Sequence, residues 1–267
     1  MAPEYGKSNI TAAFERLKAK GGKAFIPYIM AGDPDLEKTK ERVLLLEKCG
    51  ADIIELGVPF TDPLADGPTI QKAAGRALQA GATMRKVISL VKELRHYTRI
   101  PLVLMTYYNL VFKYGEDAFV RDALEAGADG LIIPDLPPEE AEGLINSTRK
   151  PSPPGRIDTI FLVAPTSTED RMKRIVSACS GFVYYVSITG ITGSRLSIDE
   201  EFKAHINGIR RLTRKPVAVG FGVSTPEEAR TVGQIADGVI VGSAIVKKFH
   251  EHPEGAEKFI QELREAI

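Results

Sequence analysis

The stretch IIELGVPFTDPLADGP, residues 53–68, decides both the fold and the site because it joins an apolar run to a stiff acidic loop. A single carboxylate, Glu55, interrupts the apolar run, and a proline-rich loop with Asp62 and Asp66 follows it. Alternate side chains of a strand point to opposite faces, so Glu55 and Gly57 share one face. An ionisable group inside an apolar strand is unfavourable unless it is paired or used. We therefore expect Glu55 to be functional.

Each of the three acidic residues also has a purely structural explanation. A buried basic partner is the alternative for Glu55, but no strand-like run offers an obvious lysine or arginine. Without a partner, burial raises the pKa of Glu55, which suits a group that gives and takes a proton near neutrality. Asp62 and Asp66 lie in Asp-Pro and Asp-Gly pairs, which also begin ordinary turns. In the functional interpretation, the prolines hold Asp66 as a second carboxylate over the site.

Strand-like runs recur eight times, each after a corner of small residues. The runs are AFIPYIMAG, ADIIELGVP, PLVLMTY, DGLIIPD, DTIFLVAP, GFVYYVS, PVAVGFG and DGVIVGSA. Helical periodicity between them predicts a parallel sheet with right-handed crossovers. Eight such units in 267 residues are typical of the α/β class and its (β/α)8 TIM barrel. An open doubly wound sheet is the alternative, but it usually has fewer strands, and its G-x-G-x-x-G fingerprint does not follow the first run.

The barrel prediction carries three additions. The segment SNITAAFERLKAKGG predicts a capped N-terminal helix that closes the barrel floor. The second unit is long enough for two helices, TIQKAAGRALQAG and TMRKVISLVKELRHY, and the eighth unit predicts an extra short helix. We expect residues 1–267 to form a single barrel domain, because no linker or low-complexity segment divides them. The proline-rich link at residues 149–156 precedes a strand, so we expect it on the floor.

Composition narrows the class of protein. Hydrophobic residues make up 43% and charged residues 26% of the chain, and the formal net charge is +0. No basic surplus indicates nucleic acid or an acidic membrane surface as a partner. No apolar run is long enough to span a bilayer, and the start lacks a signal-peptide pattern. We therefore expect a cytoplasmic protein in which Cys49 and Cys179 are buried, reduced thiols.

The carboxyl ends of barrel strands hold the active site, so polar and glycine-rich segments there have priority. Three glycine clusters follow the last three runs: SITGITGS, GFGVS and VGSAIVKKF. Glycine backbones and the N–H groups of a short helix beginning at Ser243 predict a phosphate site. No histidine or lysine lies at the carboxyl end of a run, which argues against a metal site or a Schiff base. Acid–base chemistry on a phosphorylated small molecule remains.

Longer blocks of the sequence resemble the alpha subunits of tryptophan synthase. They include AFIPYIMAGDPD, ADIIELGVPFTDPLADGPTIQKA, MTYYNLVFKYG, GLIIPDLPPEE, FLVAPTST, YYVSITGITG, VAVGFGVSTPEEA and DGVIVGSAIV. The resemblance implies a (β/α)8 barrel that cleaves indole-3-glycerol phosphate to indole and glyceraldehyde 3-phosphate. It also implies that indole passes to a beta subunit in an alpha2beta2 complex. The beta subunit carries pyridoxal phosphate, and this chain needs no cofactor.

The same resemblance implies roles for single residues. It makes Glu55, Asp66 and Tyr184 catalytic, whereas Tyr185 points to the opposite face of its strand. Ten positions match substrate-binding residues: Tyr28, Ile70, Met105, Tyr107, Thr192, Gly193, Phe221, Gly222, Gly242 and Ser243. Thr192 corresponds to a lid residue that reaches Asp66. Ile188 stands where many members carry arginine, which puts the contacts of that lid in question.

A partner surface is expected on the same end of the barrel. The proline-stiffened loops after the second and fourth strands present rigid apolar positions, which lose little entropy on docking. Their predicted contact residues are Pro59, Asp62, Pro134, Asp135 and Leu136. Two other functions stay open at this stage. One is an isomerase or epimerase of sugar phosphates that uses the same glycine loops, and the other is an inactive barrel kept as an allosteric subunit.

Overall fold

The computed structural model describes residues 7–148, 156–186, 200–220 and 222–267. In these ranges the strands are β1 (Ala24–Met30), β2 (Ile54–Gly57), β3 (Leu102–Met105), β4 (Gly130–Ile132), β5 (Asp158–Ile160), β6 (Leu162–Val163), β7 (Val183–Val186), β8 (Val217–Gly220) and β9 (Gly238–Val241). They pair in the order β5-β4-β3-β2-β1-β9-β8-β7-β6. All pairings are parallel. The sheet is therefore a nearly closed barrel.

The fifth strand-like run of the sequence is divided in two. β5 pairs with β4 and β6 pairs with β7, and Phe161 alone separates β5 from β6. The N–H of Phe161 donates to the sulfur of Cys179 at 3.3 Å, which accounts for the interruption of the ladder at this residue. The predicted eight-stranded barrel is confirmed with this one interruption. Cys49 and Cys179 are both free and buried, as predicted.

The helices lie between the strands along the chain. They are α1 (Asn9–Ala19), α2 (Leu36–Lys48), α3 (Pro68–Gln79), α4 (Met84–Leu94), α5 (Tyr108–Tyr114), α6 (Glu116–Ala126), α7 (Glu142–Thr148), α8 (Glu169–Ala178), α9 (Glu200–Leu212), α10 (Pro226–Ile235), α11 (Ser243–Glu251) and α12 (Ala256–Ala266). The predicted extra helices are α1, α3 with α4, and α11. The third unit also carries two helices, α5 and α6, and the sequence analysis did not predict α5. Each helix in the described ranges is too short or too polar to cross a bilayer.

Both faces of the sheet are covered, which explains why the strands are continuous apolar runs. Side chains that point inward, such as Ile26, Val103 and Ala218, form the barrel interior. Side chains that point outward, such as Leu56 and Leu104, pack beneath the helices. This separation follows the alternation of side chains along each strand.

Aspartates at the starts of three strands tie the barrel floor together. Each carboxylate accepts an N–H from the start of the preceding strand and also an arginine. The N–H contacts are Asp52–Phe25 at 2.9 Å, Asp129–Leu102 at 2.8 Å and Asp237–Val217 at 2.9 Å. The arginine contacts are Arg264–Asp52 at 3.2 Å, Arg95–Asp129 at 2.7 Å and Arg210–Asp237 at 3.1 Å. The carboxylates on the floor are therefore satisfied.

The N-terminal helix closes that floor. Ser8 caps it by accepting the N–H of Thr11 at 3.2 Å. Ile10 and Phe14 of α1 belong to the interior cluster, and the ring of Phe14 lies 5.7 Å from that of Phe182. The predicted floor helix is thus confirmed, and the opposite end of the barrel is left for the chemistry.

Candidate active site

Glu55 lies inside the barrel on β2, beside Tyr28 of β1 and Val103 of β3. Its residue exposure is 0%, and neither carboxylate oxygen has a hydrogen-bond partner among the described residues. The alternative of a basic partner therefore fails in this part of the chain. Burial raises the pKa of Glu55 to about 8, so the folded protein holds this carboxyl protonated at neutral pH.

Two tyrosine hydroxyls share the interior with Glu55. A Cβ atom at Gly57 would lie 2.0 Å from the hydroxyl oxygen of Tyr28, and one at Gly220 would lie 2.2 Å from that of Tyr184. Only glycine leaves room for these rings. Burial raises the pKa of both tyrosines, and the nearby carboxylates of Asp66 and Glu55 raise each further. Both hydroxyls therefore stay neutral.

Gly57 and Gly220 were missed as site residues by the sequence analysis. Each ends an apolar strand and faces the barrel interior, where glycine marks the close approach of another group. That position is the signal that could have identified them. The inward-pointing Tyr184 and the outward-pointing Tyr185 are confirmed, since they belong to the interior and outer clusters respectively.

Asp66 is held over the mouth by its own loop and by β3's end. The N–H of Ala65 donates to the hydroxyl of Tyr107 at 3.1 Å, and that hydroxyl is hydrogen-bonded to the Asp66 carboxylate. Burial raises the pKa of Asp66 to about 6, and the bond from Tyr107 opposes the rise. The ring of Phe60 packs 5.3 Å from that of Tyr107. Gln71 of α3 donates to the Asp66 carbonyl at 2.8 Å.

The remaining described pocket residues form an apolar wall. Ile70 on α3 and Met105 at the end of β3 are buried in the same interior cluster as Tyr28 and Tyr184. Tyr107 is also buried, with 5% of its surface exposed. The structure therefore brings together a neutral aromatic and aliphatic wall and two carboxylates with raised pKa values.

The predicted phosphate site is at the start of α11. Gly242 precedes α11 and makes no side-chain cap hydrogen bond to the first N–H groups of that helix. Ser243 begins the helix and is exposed, and Tyr28 lies against Gly242. Gly222 has φ of +89°, a conformation that favours glycine. Ile188, Thr192, Gly193 and Phe221 lie outside the described residues.

The predicted partner surface is only partly exposed. Three of its residues reach the surface: Asp62, Pro134 and Asp135. Pro59 and Leu136 are buried, Leu136 with 3% exposure beneath the helices. The expectation that these two apolar residues are exposed is therefore wrong, because Pro59 lies at the buried start of its loop and Leu136 packs into the outer core cluster. Leu64, between the two loop acids, is 95% exposed.

Cavity size does not identify this site. A cavity of about 1160 Å³, lined by described residues, lies at the floor between α1 and the starts of the strands. Residues at that end of a barrel serve stability, whereas the chemistry belongs to the carboxyl ends of the strands. In the described part of the chain, no group of three or more His, Cys, Asp or Glu side chains is arranged to hold a metal ion.

Known proteins share this fold and sequence. A family model described as tryptophan synthase alpha chain matches residues 14–267. The tryptophan synthase alpha chain of Geotalea uraniireducens is 50% identical over 244 residues, covering 91% of this chain and 90% of the relative. The tryptophan synthase subunit alpha of Legionella pneumophila superposes with a TM-score of 0.89 at 38% identity, covering 98% of this chain and 99% of that one. A tryptophan synthase structure from Mycobacterium tuberculosis gives a TM-score of 0.90 at 37% identity, with coverage of 98% and 99%.

We expect Glu55→Gln to stabilise the fold at alkaline pH. The carboxyl titrates near 4.5 when unfolded and at about 8 when folded, so the folded state binds the extra proton between these values. Wild-type stability therefore falls as pH rises from 4.5 to 8, by about 5 kcal/mol. The Glu55→Gln variant has a neutral amide at this position, so its stability does not fall in this way. Urea unfolding across the pH range measures the difference between the two proteins.

Glu227→Gln is the matched control, because Glu227 is exposed at the start of α10. Its stability curve should follow the wild type. If the Glu55→Gln curve also runs parallel to the wild type throughout this range, the carboxyl of Glu55 has an ordinary pKa and the burial argument is wrong.

Proposed function

The chain belongs to the tryptophan synthase alpha chain family, whose members cleave indole-3-glycerol phosphate to indole and glyceraldehyde 3-phosphate, and we propose that Glu55 and Asp66 are its two catalytic groups. The observation that carries the assignment is the isolation of Glu55, which is fully buried and has no partner among the described residues. Its pKa of about 8 and the value of about 6 for Asp66 give the two carboxyls different protonation states at neutral pH. Unlike environments of this kind assign the roles of acid and base.

Glu55 acts on both sides of the bond that breaks. Retro-aldol cleavage needs an acceptor for the electrons of that bond, and the indole ring of the substrate supplies it. Protonated Glu55 gives its proton to C3 of the ring, which becomes cationic. The resulting carboxylate takes the proton of the hydroxyl on the adjacent glycerol carbon. The carbon–carbon bond then breaks, its electrons return to the ring as neutral indole, and the hydroxyl carbon becomes the aldehyde.

Asp66 stabilises the intermediate charge. The ring becomes positive at N1–H after protonation at C3, and an ionised carboxylate at the mouth attracts that charge in a site of low dielectric constant. Tyr107 supports this role because its hydroxyl hydrogen-bonds the carboxylate and favours the ionised form. The neutral side chains of Tyr28 and Tyr184 complete the aromatic wall and add no competing charge.

The phosphate of the substrate is proposed to bind at the start of α11. The N–H groups there attract an anion because they carry the positive end of the helix dipole. Gly222 and Gly242 leave their backbones open to close approach. Gly193, Thr192 and Phe221 stay predictions for the same substrate, since they lie outside the described residues.

We expect cleavage to follow a bell-shaped pH profile. Activity requires ionised Asp66, which sets the acid limb at about 6, and protonated Glu55, which sets the alkaline limb at about 8. Glu55→Gln should lower kcat by ~10²–10⁴-fold, because it keeps the shape and removes the proton. Asp66→Asn should lower kcat strongly and abolish the acid limb. Indole release from indole-3-glycerol phosphate measures each effect.

Asp62→Asn is the matched control on the same loop, because Asp62 is exposed. It should leave cleavage by the isolated chain near the wild-type rate. Near-normal turnover by Glu55→Gln would contradict the assignment. A larger loss of cleavage in Asp62→Asn than in Asp66→Asn would show that Asp66 is not the catalytic acid of this loop. No cleavage by the wild type, alone or with a beta subunit, would favour the inactive barrel instead.

We expect Ser243→Asp to separate folding from phosphate binding. Ser243 is exposed at the first turn of α11, where an added carboxylate stabilises a helix through its dipole. The same charge repels a substrate phosphate, so KM should rise about tenfold, or about 1.4 kcal/mol, without loss of thermal stability. Ser243→Asn, which is uncharged, is the control. Equal KM values for the two variants would place the phosphate elsewhere.

The rim of the barrel mouth is proposed to dock a beta subunit, as the family's alpha2beta2 complex implies. The loops after β2, β3 and β4 contact one another there. Phe60 packs on Tyr107, and the N–H of Tyr108 donates to Asp135 at 2.9 Å. The ring of Phe112 lies 6.2 Å from that of Tyr108 and is 69% exposed. This continuity would transmit docking to the loop that carries Asp66.

We expect Leu64→Asp to weaken beta-subunit affinity about tenfold, because it places a charge in a desolvated contact. Leu64 extends from the same rim with 95% exposure. Tyr97→Asp is the control, since Tyr97 is 61% exposed but precedes β3 at the floor. Titration of the beta subunit, followed by indole release, measures affinity and activation. Equal affinities for both variants would exclude this rim.

A further inference from the structure

A buried ion pair beside the site has no part in the proposed chemistry. Asp33 lies in the loop after β1, and its side chain is 3% exposed. Arg76 of α3 donates to both carboxylate oxygens, from Nε at 2.7 Å and from Nη2 at 2.7 Å. This two-bond fork fixes the orientation of the guanidinium plane as well as its distance.

The fork sets the position of the helix that supports Asp66. α3 begins directly after the Asp66 loop, and Gln71 in its first turns holds the Asp66 carbonyl at 2.8 Å. Ile70 on the same turn belongs to the apolar wall. Arg76 lies farther along the same rigid helix. Any rotation or slip of α3 that breaks the fork therefore also moves Gln71 and Ile70.

The loop that carries Asp33 has little space in which to adapt. Gly32 has φ of +89°, and a Cβ atom there would lie 2.4 Å from the Cβ of Ala82 and 3.3 Å from that of Ala77. The N–H of Gly32 also donates to Thr39 of α2 at 2.9 Å. The loop is thus packed against the end of α3 and bonded to α2, so it forms a fixed point of attachment.

A second arginine joins this loop to α11, the helix whose start is the proposed phosphate site. Arg42 of α2 donates to the carbonyl of Asp33 and, at 3.3 Å, to the carbonyl of Phe249 near the end of α11. Its guanidinium lies 4.7 Å from the centroid of the Phe249 ring. The Asp33 loop is therefore bonded to α3, which supports Asp66, and through Arg42 to α11, whose start is the proposed phosphate site.

We propose that the Asp33–Arg76 pair is a positioning device for Asp66, acting through α3 to hold the carboxylate where the substrate nitrogen lies. The inference rests on the proposed function, in which Asp66 is catalytic. A purely structural pair would contribute stability alone. A displacement of about 1 Å in a catalytic group costs up to ~100-fold in rate. Loss of the fork should therefore lower the rate, which a loss of stability alone would not do.

The test combines Arg76→Lys with Asp66→Asn. Lysine keeps the positive charge but loses the planar fork. We expect Arg76→Lys to lower kcat about tenfold with KM within about twofold. In the Asp66→Asn background, the same substitution should lower the residual kcat by less than about twofold, because residues that act through one another are not additive. Lys72→Gln, an exposed change on the same helix, is the control and should leave kcat unchanged.

Thermal unfolding of every variant establishes that each is folded at the assay temperature. The inference is overturned if Arg76→Lys lowers the melting temperature while kcat stays at the wild-type value. It is also overturned if the loss of kcat is equally large with Asp66 and with Asn at that position, since Arg76 then acts elsewhere. Near-normal activity of Asp66→Asn alone overturns the proposed role of Asp66 and, with it, the inference. That result appears in the single variant and so distinguishes the two failures.

Discussion

The desolvation of Glu55 is the constraint around which the barrel mouth is built. Parallel strands use their own N–H and C=O groups in the ladder, so the interior offers a carboxylate no backbone donor. The surrounding side chains are aliphatic or neutral aromatic. Ionising the carboxyl in this interior costs more free energy than ionising it in water. The carboxyl therefore keeps its proton, and its pKa is raised. In the proposed mechanism, proton transfer to the indole ring depends on this raised pKa.

The two ends of the barrel treat acidic residues in opposite ways. At the floor, Asp129 accepts the N–H of Leu102 at 2.8 Å and an arginine at 2.7 Å. At the mouth, neither oxygen of Glu55 has a partner among the described residues. Removing a partner from a buried charge is strongly destabilising. The floor carboxylates have such partners, whereas the unpaired Glu55 is held protonated. The division between a stable end and a reactive end follows from how each carboxylate is solvated.

The sequence predicted what depends on local pattern. Strand alternation predicted that Glu55 and Gly57 share one face of their strand, and the repeat of apolar runs predicted the fold. The sequence did not predict that Gly57 leaves space for an aromatic ring, because that role depends on Tyr28 of the neighbouring strand. Pro59 and Leu136 were wrongly expected at the surface, since loop composition does not tell which of the loop's side chains are buried. The Asp33–Arg76 pair joins residues 43 positions apart, a distance that no local motif covers.

The pKa values of the two proposed catalytic carboxyls differ because both their burial and their hydrogen bonding differ. Both carboxyls are desolvated, which raises both pKa values. Asp66 also receives a bond from Tyr107, which stabilises its ionised form, whereas Glu55 receives none from the described residues. A cation beside Glu55 would lower its pKa and remove the proton that the proposed mechanism transfers to the ring. Tyr28 and Tyr184 meet this condition, because each lies near Glu55 without supplying a positive charge.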